Sequence, residues 1–229
     1  QKLISFDYNK IENGYLVEAV FDLIDVNSQA KMTYLIQADG NLKVTHSFRY
    51  GGGIDNTEIP RVGVNMQLLS NLTNVEWYGR GPHENYIDRK ASAFKGIYNF
   101  QVEDMKFEYG RPQENGYRTE TKQLILSDEN GNGIEFNGLP EFSFAVHNNL
   151  TDDYDDGEFK KSKRRDKQNK KVMSHLNDIK PKLLLNLNID LGQMGVGGDN
   201  SWGAKPHKKY LLKPKNYSHS FLIKQKKIK

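Results

Sequence analysis

The chain has 229 residues, a formal charge of +4 and a mean hydropathy of −0.77. That length suits one large domain or two small ones with a substantial core, and twelve Tyr, eleven Phe and two Trp argue against disorder. The absence of cysteine excludes a disulfide framework and any Cys-based zinc site, and no apolar run approaches the roughly 18 residues of a membrane-spanning helix.

In chain order, β signals dominate. The opening QKLISFDYNKIENGY has no apolar signal-peptide region and no initiator Met; the chain is expected to be an excised piece of something longer or a processed product. YLVEAVFDLID (15–25) is apolar and partly alternating. MTYLIQADGNLKVTHSF (32–48) reads as two strands around Asp39-Gly40, a strong hairpin signal. GVNMQLL (63–69) is a strand. VEWYGRGPHENYIDR (75–89) is a strand running into a long polar loop, with Trp77 alternating with Val75 and so expected in the core.

TETKQLILSDENGNGIEFNG (119–138) repeats the hairpin design with Asn130-Gly131-Asn132-Gly133 at its turn. FSFAVHN (142–148) places Phe142, Phe144 and Val146 on one face. In KLLLNLNIDL (182–191), Leu185, Leu187 and Ile189 alternate with Asn186, Asn188 and Asp190. KYLLKPKNYSHSFLIKQKK at the end reads as two strands around Pro214-Lys215-Asn216. Helical signal is confined to 160–178. So many short strands imply a sandwich or barrel in a single all-β domain, 1–229.

The basic excess is local. KKSKRRDKQNKK (160–171) holds eight basic residues and one acid, a charge of +7 that leaves the other 217 residues at −3 of the total +4. It has no interleaved aromatics to stack on bases. A solvated, flexible charged insertion over about 151–181 is expected, with no nucleic-acid and no membrane partner. TDDYDDGE (151–158) has carboxylates at alternating positions that suit Ca²⁺. It lacks a full twelve-residue loop and precedes the basic run, so it is read as an acidic turn pairing with that run.

Reactive groups concentrate after Trp77. His83, Glu84, Asn85, Tyr86, Asp88 and Arg89 form either a site or a buried polar network bracing a long loop. A glycosidase needs two carboxylates roughly 5 to 9 Å apart. Glu84, Asp88, Glu114, Asp190 and Asp199 are available, yet none lies in a context that marks a catalytic pair. There is no Gly-x-Ser-x-Gly elbow, no P-loop and no zinc-type pairing among the six histidines. MGVGGDNSWG (194–203) surrounds Trp202 with glycines, which weaken regular structure and allow close backbone approach. Either the indole stands at a loop tip, or it folds back on the domain. At a tip, its face suits the C–H face of a sugar and the flanking Asp199, Asn200 and Ser201 suit the hydroxyls.

Three segments carry a resemblance: WYGRGPHENYIDR (77–89), PQENGYRTETKQL (112–124) and MGVGGDNSW (194–202), with PRVGVNMQL (60–68) before them. In that order they resemble the signatures of the C-terminal small-chain domain of family 2 glycoside hydrolases of the bacterial β-galactosidase type, over about residues 12–225. The resemblance implies a β-supersandwich akin to galactose mutarotases, the last domain of a five-domain chain. It implies catalytic glutamates on a (β/α)8 barrel elsewhere; such a barrel takes about 250 residues, so no catalytic residue is expected here. The implied role is to close the active-site mouth, with Trp202 as a stacking platform for the substrate. Glu84, Asn85, Tyr86, Asp88 and Arg89, with Glu114, Asn115 and Arg118, are then a polar network bracing loops, in which Arg89 or Arg118 pairs with a buried carboxylate.

The implied partners are the parent enzyme's other domains and a galactoside, in a homo-oligomeric parent. No metal or cofactor is expected in this chain, although family enzymes often use Mg and Na in other domains. The charged insertion departs from the family pattern. Two other readings stay open: a free-standing sugar-binding module, and a mutarotase-like epimerase using His83 with Glu84 or His147 with Asp190.

Overall fold

The computed structural model describes residues 1–52, 59–154, 179–200 and 202–226. Among them run eleven antiparallel strands: β1 Lys2–Ile11, β2 Gly14–Leu23, β3 Ser28–Gln37, β4 Leu42–Tyr50, β5 Arg61–Leu68, β6 Asn74–Gly81, β7 Phe94–Gln101, β8 Arg118–Ser127, β9 Gly133–His147, β10 Leu185–Gln193 and β11 Tyr217–Lys226. Helical structure among the described residues is limited to four short 3-10 turns. The fold is all-β, a supersandwich of large antiparallel sheets. The strand order is β1-β2-β3-β4-β11-β9-β8-β6-β7, with β10 joining β9 to β5 as a branch.

Strand β9 makes the branch possible. Its first half, Gly133–Leu139, pairs with β11, and its second, Ser143–His147, pairs with β10. The bend between them falls at Gly138-Leu139-Pro140-Glu141, where a Cβ on Gly138 would lie 2.5 Å from Cα of Glu141. FSFAVHN is therefore the far half of a fifteen-residue strand, not a strand of its own.

One core fills the space between the inner faces. Trp77, Leu124, Leu126, Phe136, Phe144, Leu187, Ile189 and Phe221 are all fully buried in it. Trp77 packs on Tyr98, Phe100 and Phe144, and its indole N–H donates to the Arg80 carbonyl at 3.0 Å. Each buried aromatic of this kind contributes about 2 to 3 kcal/mol by area alone.

The alternation in β10 puts Leu185, Leu187 and Ile189 into this core, but Asn186, Asn188 and Asp190 are buried as well. The outer face of the β5–β10–β9 sheet is polar yet covered. Asn65 bridges the amide oxygens of Asn186 and Asn188, both at 2.8 Å.

The opposite flank is less covered. Cross-strand partners share a face, so Phe6 and Tyr8 of β1 extend the face carrying Val17, Tyr34, Val44 and Phe221. Phe221 and Val44 are buried, whereas Phe6 and Tyr8 are 61% and 66% exposed.

The C-terminal segment differs from expectation. Only Tyr217–Lys226 is a strand; Lys208–Tyr210 is a 3-10 turn and Leu212 forms a single bridge to Ile59. Lysines and Pro214 leave that stretch too few apolar residues to pay for a second full strand. The expected helix at 160–178 lies outside the described residues, as does most of the charged insertion. Its start, Thr151–Tyr154, is a 3-10 turn in which Asp153 pairs with Lys182 at 2.6 Å; the expected pairing of this turn with the basic run lies outside the described residues. Lys182 is held beside the turn by its own backbone N–H, which donates to the Asn148 carbonyl at 2.7 Å. No group of three or more metal-ligating side chains occurs among the described residues.

Candidate functional site

The loop after β6 is stitched to the segment before β8. Asn85 is fully buried. Its backbone N–H donates to Tyr117 O at 2.8 Å, and its Oδ1 accepts from the Thr119 N–H at 3.0 Å and the Thr119 hydroxyl at 2.6 Å. Its Nδ2 donates to the His83 carbonyl at 3.1 Å. A short amide thus meets four polar groups of the two segments at once.

Glu84 makes a second link. Its side chain, 8% exposed, accepts from Gly116 N–H at 2.7 Å, from Arg89 Nη2 at 2.5 Å and from the Tyr109 hydroxyl. Gly116 has φ 75, and a Cβ there would stand 2.5 Å from the His147 ring, so only glycine fits beneath the carboxylate. Tyr86 stacks on Tyr117 with ring centroids 5.4 Å apart, and the Arg89 guanidinium sits 4.8 Å above the Tyr86 ring. Burial pushes both phenols well above their ordinary range.

Asp88 reaches the third signature. Its Oδ2 accepts the Gly197 N–H at 2.7 Å, and a Cβ on Gly195 would meet its carboxylate at 2.7 Å. Beyond this anchor the loop carries Trp202 into solvent, 93% exposed. The indole does not fold back on the domain. Asn200 Oδ1 accepts the Trp202 N–H at 2.8 Å, and Asp199 faces His207 Nε2 at 2.7 Å. Ser201 lies outside the described residues.

The remaining network residues divide. Asn115 accepts from Phe107 N–H at 3.2 Å and donates to Gln113 O at 2.9 Å. Glu114 turns away from Glu84 and meets Arg61 Nη2 at 2.7 Å, in a cluster with Gln193 and Asp190. Arg61 Nε stands 3.4 Å from the buried Asp190, yet burial outweighs that attraction and holds the Asp190 carboxyl up at about 7. Of the two arginines, Arg89 has the buried carboxylate partner. Arg118 instead lies 5.5 Å over the Trp77 ring, and burial lowers its pKa to about 10.

Two parts of this region had no sequence signal. One is the Arg61–Asp190 pair. The other is Glu120, at φ 52, which receives Arg80 at 2.9 Å, Lys95 at 3.0 Å and Lys90. Burial alone would raise the Glu120 carboxyl, but hydrogen bonds from Lys90, Lys95 and Arg80 hold it down at about 2. Four cationic or anionic side chains converging from β6, β7, β8 and a loop have no short-range pattern.

The epimerase pairs do not assemble. His83 is exposed and meets Ser92 Oγ at 3.0 Å, while Glu84 is engaged by Gly116, Arg89 and Tyr109. His147 lies opposite Asn186 and Asp190 opposite Ser143. Four positions along a strand separate them by about 13 Å.

A protein-family model described as the β-galactosidase small chain matches residues 2–223. The chain belongs to that family. It is 30% identical over 194 residues to a β-galactosidase of Priestia megaterium, covering 84% of this chain and 17% of that protein. It is 33% identical over 223 residues to a β-galactosidase of Alteromonas mediterranea, covering 94% and 18%. The small-chain segment thus spans less than a fifth of these relatives. A solved galactose mutarotase related enzyme from Lactobacillus acidophilus aligns over 98% of this chain and 72% of its own, with TM-score 0.42 and 9% identity.

Proposed function

We propose that this small-chain domain is the non-catalytic C-terminal part of a β-galactosidase, closing an active-site mouth built by other domains of a longer, homo-oligomeric parent. Trp202 serves there as a stacking platform for the galactoside, with Asp199, Asn200 and Ser201 offering polar partners. The observation that carries this reading is the 93% exposure of Trp202 on a loop whose base is pinned by Asp88. An indole left in water costs hydrophobic stabilisation that burial would recover. A loop braced to hold it there makes sense if something stacks on it.

Among the described residues, the candidate carboxylates already have partners, which favours a non-catalytic reading. Glu84, Glu114 and Asp190 are occupied by arginine, and Asp88 by backbone. The mutarotase-like epimerase reading loses its acid–base pairs in the same geometry. The test is Trp202→Ala in the full-length parent. A rise in KM for an aryl or disaccharide galactoside with a smaller change in kcat supports the platform. Unchanged kinetics on every galactoside tried removes it. The isolated chain with a chromogenic β-galactoside is expected to release no aglycone, and any release would place a carboxylate pair within it.

A further inference from the structure

Part of the polar outer face of the β9–β10 sheet lines a cavity of about 380 Å³, between the Gln113–Asn115 segment and the Thr151–Tyr154 turn. His147 of β9 and Asn188 of β10 form its floor and are 7% and 6% exposed. Among the described residues, each uses only part of its hydrogen-bonding capacity. His147 Nε2 lies 3.1 Å from the Asn115 carbonyl, which can only accept. That nitrogen therefore carries the hydrogen, and Nδ1 is left as an acceptor. Asn188 Oδ1 accepts from Asn65, leaving its NH₂ group as a donor. Among the described residues, neither His147 Nδ1 nor Asn188 Nδ2 has a partner.

The walls narrow the choice of ligand. The Tyr154 ring stands against His147 with centroids 5.3 Å apart and gives one apolar surface. Glu114 lines another wall, but its charge is met by Arg61 at 2.7 Å. The two open groups on the floor are neutral, one donor and one acceptor. An anion would face Glu114 and Asp152, and no three-ligand metal group exists among the described residues. A neutral molecule with several hydroxyls, each both donor and acceptor, fits this set. The volume sits at the small end of the roughly 300–1,000 Å³ of small-molecule sites. Trp202 is not among the lining residues.

We infer that this cavity is a carbohydrate site of its own, taking a neutral, monosaccharide-sized polyol through Nδ1 of His147 and the amide of Asn188, independently of Trp202. It stands on different residues from the proposed platform and does not rest on it.

The test is a titration of the 229-residue chain with D-galactose and, separately, D-glucose, followed by amide chemical shifts. Saturable shifts at residues 113–115, 145–147 and 186–188 are expected, persisting in Trp202→Ala and weakened roughly tenfold or more in Asn188→Ala. Because Asn188 also anchors Asn65, a second variant, Gln113→Trp, places a large ring at the exposed rim without touching the core; it is expected to abolish the same shifts. No saturable change with either sugar up to roughly 100 mM would overturn the proposal and leave the cavity to water. A response lost in Trp202→Ala but kept in Asn188→Ala and Gln113→Trp would overturn it equally, since the sugar would then sit on the exposed indole.

Discussion

The carboxylate of Asp88 accepts the backbone N–H of Gly197 at 2.7 Å, so the loop that follows β6 holds the loop that presents Trp202. The two residues are 109 positions apart. A charged acceptor on a backbone donor is among the stronger hydrogen bonds available to a surface loop. Asp88→Ala is expected to cost about 1 to 3 kcal/mol of stability and to speed amide exchange at 195–198 relative to β10. Gly195→Ala should free the same loop by the opposite means, pushing a methyl into the Asp88 carboxylate. Unchanged exchange in both variants would show that the loop is held by something else.

The two tryptophans should behave as opposites. Trp202→Ala is expected to change the stability of this chain by no more than about 0.5 kcal/mol, and Trp77→Ala to cost about 3 to 5 kcal/mol. Iodide should quench the Trp202 emission and leave that of Trp77. A large fall in melting temperature for Trp202→Ala would place its ring in the core instead.

Glu84 joins three donors from separate segments. Glu84→Gln keeps the shape but weakens the Arg89 and Gly116 bonds, with an expected loss of about 1.5 to 3 kcal/mol. Arg89 is half exposed, so Arg89→Ala should cost less. Urea denaturation of both single variants and the double variant gives the coupling directly; additive losses would mean the pair does not act as a unit.

Acid should destabilise the fold through its buried histidines. Burial lowers the pKa of His147 and of His219 to about 4, the latter with help from His46 directly opposite it, and lowers His46 as well. The unfolded chain takes up these protons near pH 6.5, while in the folded chain His147 and His219 resist to about pH 4 and His46 to below its ordinary value. The stability they contribute is therefore full above pH 6.5 and declines as pH falls through that window. Asp190 works the other way. Its carboxyl is raised to about 7, so its contribution is full below about pH 3.8 and is lost as pH rises through 7. Glu114, also raised by burial, acts with Asp190, while Glu120, held down at about 2, acts with the three histidines; these four against two leave a net loss towards acid. His219→Phe should flatten the acid limb of melting temperature against pH, and Asp190→Asn should flatten the limb approaching pH 7. An acid limb unaffected by His219→Phe would assign it to other groups.

Much of the sheet could be read from local chemistry. Asp39-Gly40 and Asn130 to Gly133 announce their hairpins because few residues tolerate such turns. The 2.0-residue period of β10 and the place of Trp77 in the core follow from alternation alone. The strands missed, β1 and β7, both lie at the outer edges of the sheet order. There one neighbour is absent and the apolar pattern is diluted by Lys, Asp and Asn. The continuity of β9 was hidden by Leu139-Pro140, which reads as a break until both flanking partners are known.

In the site, the exposure of Trp202 was one of two open readings, and glycine spacing could not choose between them. Arg89 was expected to meet a buried carboxylate and does so at Glu84, but the other ion pairs were not legible. Arg61 with Asp190, and Glu120 with Arg80, Lys90 and Lys95, are brought together by strand register rather than by sequence distance. The network residues Glu114 and Arg118 sit next to the expected cluster but take other partners, Arg61 and the Trp77 ring.

Strand β9 also has a mechanical meaning. A single uninterrupted length of backbone hydrogen-bonds to β11 on one side of its bend and to β10 on the other. Pulling on either sheet therefore transmits tension through Gly138 and Pro140 to the other, as a shared beam carries load between two floors. The polar face that holds His147 and the apolar face that holds Phe136 cannot loosen one without the other. A disturbance at the β11 end is therefore expected to reach His147, whose ring lies beneath Gly116, along the backbone of β9 itself.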